Sequence, residues 1–398
     1  MKYVVIGNGV AGVSAIQVLS KEKPSNSTVL QFTDEPFPGF YNRPKIPAFI
    51  EKNEMTIEDT IAYNLDWYKK LDVDLHIQEK VEKINFEMNE VLSNKAAYPF
   101  DRLLIATGGD CWCPPIEGRH LKHFYSVRSL NDALEIRKRF KISKKAIIIG
   151  GGVLGLEIAN AATNQGQNTT VIEFFPHLLP RQLDEEGGNI LKRILEKRGI
   201  TIHVNKEVQR VIGEEEVQAV ITKDGVEIST DIVMVCTGIK PRVDLGRDFL
   251  EINRGIIVND YLETSQEDIF AAGDCAEHNG IVYGLIPPSI QQARIAAHNM
   301  INMDTRYKGS KISSTLKVTD LFLSSFGYTG KESELGYGVR KYINEEEYVK
   351  LFIHNDKIKA AIILGVKKAI PTIKTIFTEE KSVSDHETKI KEVLPELS

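Results

Sequence analysis

Two short glycine runs carry the most legible chemistry in this 398-residue chain. Gly7-Asn8-Gly9-Val10-Ala11-Gly12 and Gly150-Gly151-Gly152-Val153-Leu154-Gly155 share the spacing Gly-x-Gly-x-x-Gly. Each follows an apolar strand-like run and opens a run with apolar residues at helical spacing. Such a turn serves pyrophosphate binding: one glycine makes the tight turn, one lets the backbone approach the phosphates, and one lets helix and strand pack closely. The helix that follows supplies unpaired N–H groups and the positive end of its dipole. Roughly 20 residues on, each copy reaches an acid suited to a ribose hydroxyl. In the first copy this is Asp34, with the equally acidic Glu35 beside it; in the second it is Glu173. One copy alone would say little. Two copies in the same setting predict two dinucleotide sites.

The elements that must position these residues form an internal repeat. Lys2–Ile6 reads as a strand, Val13–Leu19 as a helix and Thr28–Phe32 as a second strand; Lys145–Ile149, Leu156–Ala162 and Thr169–Ile172 repeat the plan. Three later strands run into small residues that let the chain lie close to a cofactor: Ala106-Thr107-Gly108, Thr237-Gly238 and Gly273-Asp274. At the last of these, Asp274 suits a ribityl hydroxyl. Beyond Ser310 the pattern changes to a hairpin, Tyr348–Ile353 and Ile358–Leu364 around His354–Lys357, followed by a charged helical tail at about 379–396. The fold class predicted is α/β, with two Rossmann-like dinucleotide-binding domains and a small C-terminal α+β domain.

Fifty basic against fifty-five acidic residues leave a net charge of −5, which argues against nucleic acid or an anionic membrane as partner. No apolar run approaches the roughly 18–20 residues of a membrane span. The N-terminus turns glycine-rich too early for a secretory signal, so a cytoplasmic location is expected. Four cysteines, Cys111, Cys113, Cys236 and Cys275, include no Cys-x-x-Cys pair, which favours a reducing compartment. Cys111 and Cys113 with His120 and His123 fit no standard metal spacing, and no metal site is expected there. Cys236 and Cys275 follow apolar strands and read as packed small residues. The basic run Arg137–Lys141 reads as a solvated helix face, with docking of an acidic protein as the alternative.

Together these motifs resemble the pyridine nucleotide–disulfide oxidoreductase superfamily over essentially the whole chain. The resemblance implies FAD at Gly7–Gly12, Ala106–Gly108 and Gly273-Asp274, and NADH at Gly150–Gly155 with Glu173. It implies a discontinuous FAD domain, 1–110 and 239–308, an NAD(H) domain, 111–238, and a C-terminal domain, 309–398. The family's disulfide reductases carry a redox cysteine after the second FAD strand, and Phe37–Pro47 has none. Tyr41-Asn42-Arg43-Pro44 there is similar to the rubredoxin reductases, ferredoxin reductases and flavin domain of NADH-dependent nitrite reductases, as is the run Leu316–Gly327. Such a likeness implies hydride transfer from NADH to FAD, then single electrons to rubredoxin or a similar carrier. An NADH oxidase, or a flavin subunit of nitrite reduction, and a non-enzymatic FAD- and NADH-binding sensor are the alternatives. Where several relatives have a lysine near the flavin this chain has Ala48, with Lys45 three residues earlier as the substitute; the partner glutamate is matched by Glu157. Glu173, followed by Phe174, Phe175 and Pro176 with no arginine before Arg181, favours NADH over NADPH. The expected assembly is a monomer or homodimer.

Overall fold

The computed structural model describes residues 1–318, 321–330, 332 and 335–397. It divides into two compact units. One comprises Met1–Lys45, Met55–Asp110 and Ile239–Ser310; the other comprises Ile46–Glu54, Cys111–Gly238 and Lys311–Ser398.

The first unit is built on a five-stranded parallel sheet in the order Ile269–Ala271, Arg102–Ile105, Lys2–Ile6, Thr28–Phe32, Val73–His76. Four of the five residues of Lys2–Ile6 are buried, as expected of a parallel strand covered on both faces. Its register pairs Ile6 with both Phe32 and Ile105, so three strand ends share one edge. The crossover helix Val10–Glu22 is buried on most of its circumference, Ala11 to Ile16 without a break and then Val18 and Leu19, and packs against the helix Ile286–Met300. An antiparallel meander, Val81–Asn85, Glu90–Ser93 and Ala97–Pro99, completes this unit's core.

The second unit repeats the plan. Its parallel sheet runs Phe124–Ser126, Ile232–Val235, Lys145–Ile149, Asn168–Ile172, Thr201–His203, and its own meander is Val208–Ile212, Ala219–Thr222, Glu227–Ser229. The short helix Ile46–Glu51 also belongs here. Phe49 is fully buried beneath the Arg137 guanidinium, 3.9 Å from the ring centre, and Asn164 Nδ2 donates to Glu51 Oε1 at 2.8 Å. The basic run is therefore a solvated face only in part, at the exposed Lys138 and Lys141. Arg137 is spent on Phe49, Arg139 reaches Glu216 and the Asp231 carbonyl at 3.3 Å each, and Lys138 pairs with Glu135 at 2.7 Å.

The C-terminal part carries an antiparallel sheet in the order Ser313–Val318, Leu321–Phe326, Lys357–Leu364, Tyr348–His354, Gly338–Ile343. Its hairpin turns at Asn355-Asp356, both left-handed at φ +50° and +56°, as a two-residue type I′ turn requires. Within the run Leu316–Gly327, Thr319 and Asp320 lie outside the described residues. The helical tail differs from expectation. The main helix comes earlier, at Ala369–Thr378, burying Ile370, Ile373, Ile376 and Phe377, and the charged tail holds only Glu387–Val393 and a single 3₁₀ turn. Isoleucine and threonine favour strands by intrinsic preference, and packing against the sheet overrides that preference. Asp184 caps the helix Glu185–Lys197 through the Gly187 N–H at 3.0 Å and also accepts from Tyr348 at 2.7 Å and Lys350 at 2.8 Å.

Candidate dinucleotide sites

In the first turn the three glycines have separable reasons. Gly7 lies at φ +114°, and a methyl there would stand 2.2 Å from the Ala106 carbonyl oxygen. At Gly12 it would stand 2.0 Å from the Gly7 carbonyl oxygen. Gly9 meets only Arg43 Nη1, at 3.7 Å, which leaves the backbone open to an approaching group. The helix Val10–Glu22 starts at Gly9 without a side-chain cap and without an acid in its first turn, so its N-terminal N–H groups and dipole are available to an anion.

Arg43 stands over this turn in a 3₁₀ turn with Pro44 and Lys45. Its guanidinium lies 3.0 and 3.1 Å from the two Glu35 oxygens, and Tyr41 donates to Glu35 Oε1 at 2.5 Å. Burial opposes its charge, but Glu35, Tyr41 and Asp274 outweigh burial and hold its pKa above the ordinary value. Among the described residues Arg43 Nε is buried without a hydrogen-bond partner. A cation beside an uncapped helix start, with a donor unspent, fits a pyrophosphate. Of the two adjacent acids Glu35 is engaged, whereas Asp34 is half exposed, 4.0 Å from Arg242 Nη1.

The other expected small residues converge on the same edge. Ala106 N–H donates to the Ile6 carbonyl at 2.8 Å, Thr107 Oγ1 donates to the Arg242 carbonyl at 2.8 Å, and Gly108 is left-handed at φ +72°. Gly273, at φ +85°, sits so close to the start of the helix that a methyl would stand 3.0 Å from Ala11 Cβ, and this places Asp274 within electrostatic reach of Arg43. Arg242 was not foreseen. It joins Thr107, Asp110 (2.6 Å) and Asp34 from more than 130 positions away, with no motif to mark it. Tyr41 lay within the run that was read, but nothing in its spacing announced a bond to Glu35.

The second turn copies the glycine geometry. Gly150 is at φ +111°, with a methyl 2.6 Å from the Cys236 carbonyl oxygen; at Gly155 a methyl would stand 1.9 Å from the Gly150 carbonyl oxygen; Gly152 meets nothing within 4 Å. The helix Val153–Asn164 again starts uncapped, with Val153 and Leu154 partly exposed. Glu173 is 5% exposed, and its carboxylate accepts from the N–H groups of Gly151 and of Phe175, the latter at 2.7 Å. Burial raises its pKa, against the pull of those N–H groups. Gly238, at φ +113° with no atom near its missing methyl, accepts from the Trp112 N–H at 2.9 Å. Among the described residues nothing lies within 4 Å of the methyl that Gly152 lacks, whereas Arg43 approaches the equivalent Gly9.

Glu157 lies on the same helix, partly buried, and burial alone raises its pKa to about 7. Lys45 donates to the Asp59 carbonyl at 2.6 Å. All four cysteines are free thiols. Cys236 and Cys275 are buried, and burial pushes the Cys111 thiol up to about 11. His123 Nε2 sits 3.2 Å from Glu216. Among the described residues no helix is long and apolar enough to cross a membrane.

Residues 1–299 match the family described as pyridine nucleotide-disulphide oxidoreductase, and 313–381 match the rubredoxin NAD+ reductase C-terminal domain. A nitrite reductase [NAD(P)H] of Bacillus subtilis is 34% identical over 386 residues, 96% of this chain and 48% of that protein. The chain thus spans about half the length of the nitrite reductase it matches. NADH-rubredoxin oxidoreductase of Clostridium acetobutylicum is 31% identical over 94% of this chain and 95% of its own length. The crystal structure of that oxidoreductase superposes with a TM-score of 0.78 at 30% identity, covering 96% of each chain.

Proposed function

This chain belongs to the pyridine nucleotide-disulphide oxidoreductase family, and on that footing we propose that it is a flavoprotein reductase that uses FAD and NADH and passes electrons to rubredoxin or a similar small iron-protein carrier. Bound at the first turn, FAD supplies the chemistry: it accepts a hydride from NADH and returns electrons one at a time. The chain's own residues bind and align. The Gly9 backbone, the first-turn N–H groups and Arg43 would hold the pyrophosphate, Asp34 the adenosine ribose, and Asp274 the ribityl chain. Gly150–Gly155 and Gly238 would cradle NADH, with Glu173 disfavouring a 2′-phosphate. Glu157 would face the nicotinamide end and offset positive charge there when ionised. Lys45 would serve as a cation only by leaving the Asp59 carbonyl. The domains follow as proposed above: 1–110 with 239–308 for FAD, 111–238 for NADH, and 309–398 as the C-terminal domain. Four free thiols support a cytoplasmic location.

One observation carries the reading: two glycine turns of the same geometry, differing in that one has a partly unspent arginine over it and the other a buried acid beneath it. The likeness to nitrite reductase supports a second reading, a flavin module feeding nitrite reduction. Stopped-flow absorbance of the FAD-loaded protein separates the acceptors. Anaerobic reduction by NADH, then fast reoxidation by rubredoxin and slow reoxidation by oxygen, is the expected result. Fast reoxidation by oxygen with no carrier effect would make it an oxidase. No reduction by NADH would leave only a nucleotide-binding sensor.

A further inference from the structure

Two buried glutamine amides brace the first site, and no motif names either. Gln31, in the strand Thr28–Phe32, is fully buried and its amide nitrogen donates to the Gly7 carbonyl at 2.9 Å. Gln292, in the helix Ile286–Met300, is 1% exposed and its amide oxygen accepts the Gly273 N–H at 2.9 Å. Among the described residues Gln31 Oε1 is buried without a hydrogen-bond partner, whereas the far end of the Gln292 amide lies beside the Tyr307 hydroxyl. Neither amide is oriented arbitrarily, because a carbonyl demands the donor end and an N–H demands the acceptor end. Burying an amide half satisfied is unfavourable compared with an apolar side chain of the same size.

The fold itself shows that packing does not require an amide here. Val5 pairs with Gln31, and the matching pair in the second sheet is Ile148 with Val171, so valine fills the equivalent place. What the two glutamines share is the pair of turns they hold, Gly7 and Gly273, both with positive φ. We propose that Gln31 and Gln292 are positioning residues for FAD, fixing the glycine turn and the Gly273-Asp274 turn in their binding geometry before the cofactor arrives. The proposal rests on reading the first site as the FAD site. A preset site binds more tightly because less order has to be acquired on binding. The second turn has neither amide and is braced from the other side, by Glu173 on the Gly151 N–H. That suits a nucleotide that must leave at every turnover.

The test uses full-length holoprotein with Gln31→Val, which installs the second sheet's residue, Gln292→Leu and Gln292→Glu. FAD release is followed by the gain in flavin fluorescence on dilution, and ADP-ribose affinity reports the second turn. Gln31→Val and Gln292→Leu should each release FAD roughly tenfold faster, the scale of one lost hydrogen bond, with ADP-ribose affinity unchanged. Gln292→Glu keeps the acceptor toward Gly273 and should restore slow release, which a purely packing role would not do. Wild-type release from the Val and Leu variants, or equally fast release from Leu and Glu, overturns the proposal. A wild-type chain that binds no FAD takes down the underlying reading as well.

Discussion

The two glycine turns share spacing, strand order and the reason for each glycine, yet they are surrounded differently. Over the first stand Arg43 and, beneath it, Gln31; the second has Glu173 on a backbone N–H and a valine where Gln31 would be. The spacing thus encodes a turn that can hold a pyrophosphate. Which nucleotide sits there, and how firmly, is decided by side chains that arrive from elsewhere in the chain.

The largest expected effect comes from forcing a methyl into each turn. Gly12→Ala and Gly155→Ala place it about 2 Å from a backbone carbonyl oxygen that cannot easily yield. Each should weaken its own nucleotide by roughly 100-fold, or about 3 kcal/mol. FAD retained through purification reads the first variant and calorimetry with ADP-ribose the second; a variant that loses both nucleotides, or neither, breaks the idea of two separate sites. Next comes Arg43→Ala. Losing a charge-assisted contact should weaken FAD by about 10- to 100-fold, less at high salt, while leaving ADP-ribose binding intact.

Glu157 makes the second turn sensitive to pH. Its pKa is raised from 4.5 to about 7 by burial, so the folded state holds the proton more tightly than the unfolded one. Its favourable contribution is complete below pH 4.5 and is lost as pH rises through about 7. Glu157→Gln should therefore be more stable than wild type at pH 8, by on the order of 1–2 kcal/mol after discounting for solvent contact, and about equal to it at pH 4. Denaturant melts at both values check this. Flavin reduction by NADH in the wild type should speed up as pH rises through about 7, and Glu157→Gln should show no such rise. The smallest effect is Glu173→Ala, which should narrow the preference for NADH over NADPH about five- to tenfold, roughly 1 kcal/mol. Competition between the two nucleotides at fixed enzyme measures it, and an unchanged ratio would confine Glu173 to bracing Gly151.

Much of this was legible because local chemistry repeats. Strand, glycine turn, helix and acid recur within about 30 residues, so the central strands of both parallel sheets and their glycines could be read from periodicity and spacing, whereas the edge strands Val73–His76, Phe124–Ser126 and Thr201–His203 could not. Arg43 was legible only as part of a motif resemblance. Its bond to Glu35, and the choice that leaves Asp34 open, are products of the tertiary fold. Arg242, Gln31 and Gln292 were illegible for the same reason: each acts on a backbone turn remote in sequence. The helix Ala369–Thr378 was missed because its Ile and Thr content favours strand until the sheet beneath decides otherwise.

On this reading the first turn holds an FAD which the nucleotide of the second turn reduces. Anaerobic titration of the FAD-loaded protein with NADH, followed by flavin absorbance with and without excess ADP-ribose, addresses it directly. Full bleaching by one NADH per FAD is expected, slowed in proportion to ADP-ribose occupancy. Bleaching that ignores ADP-ribose, or none at all, would contradict it.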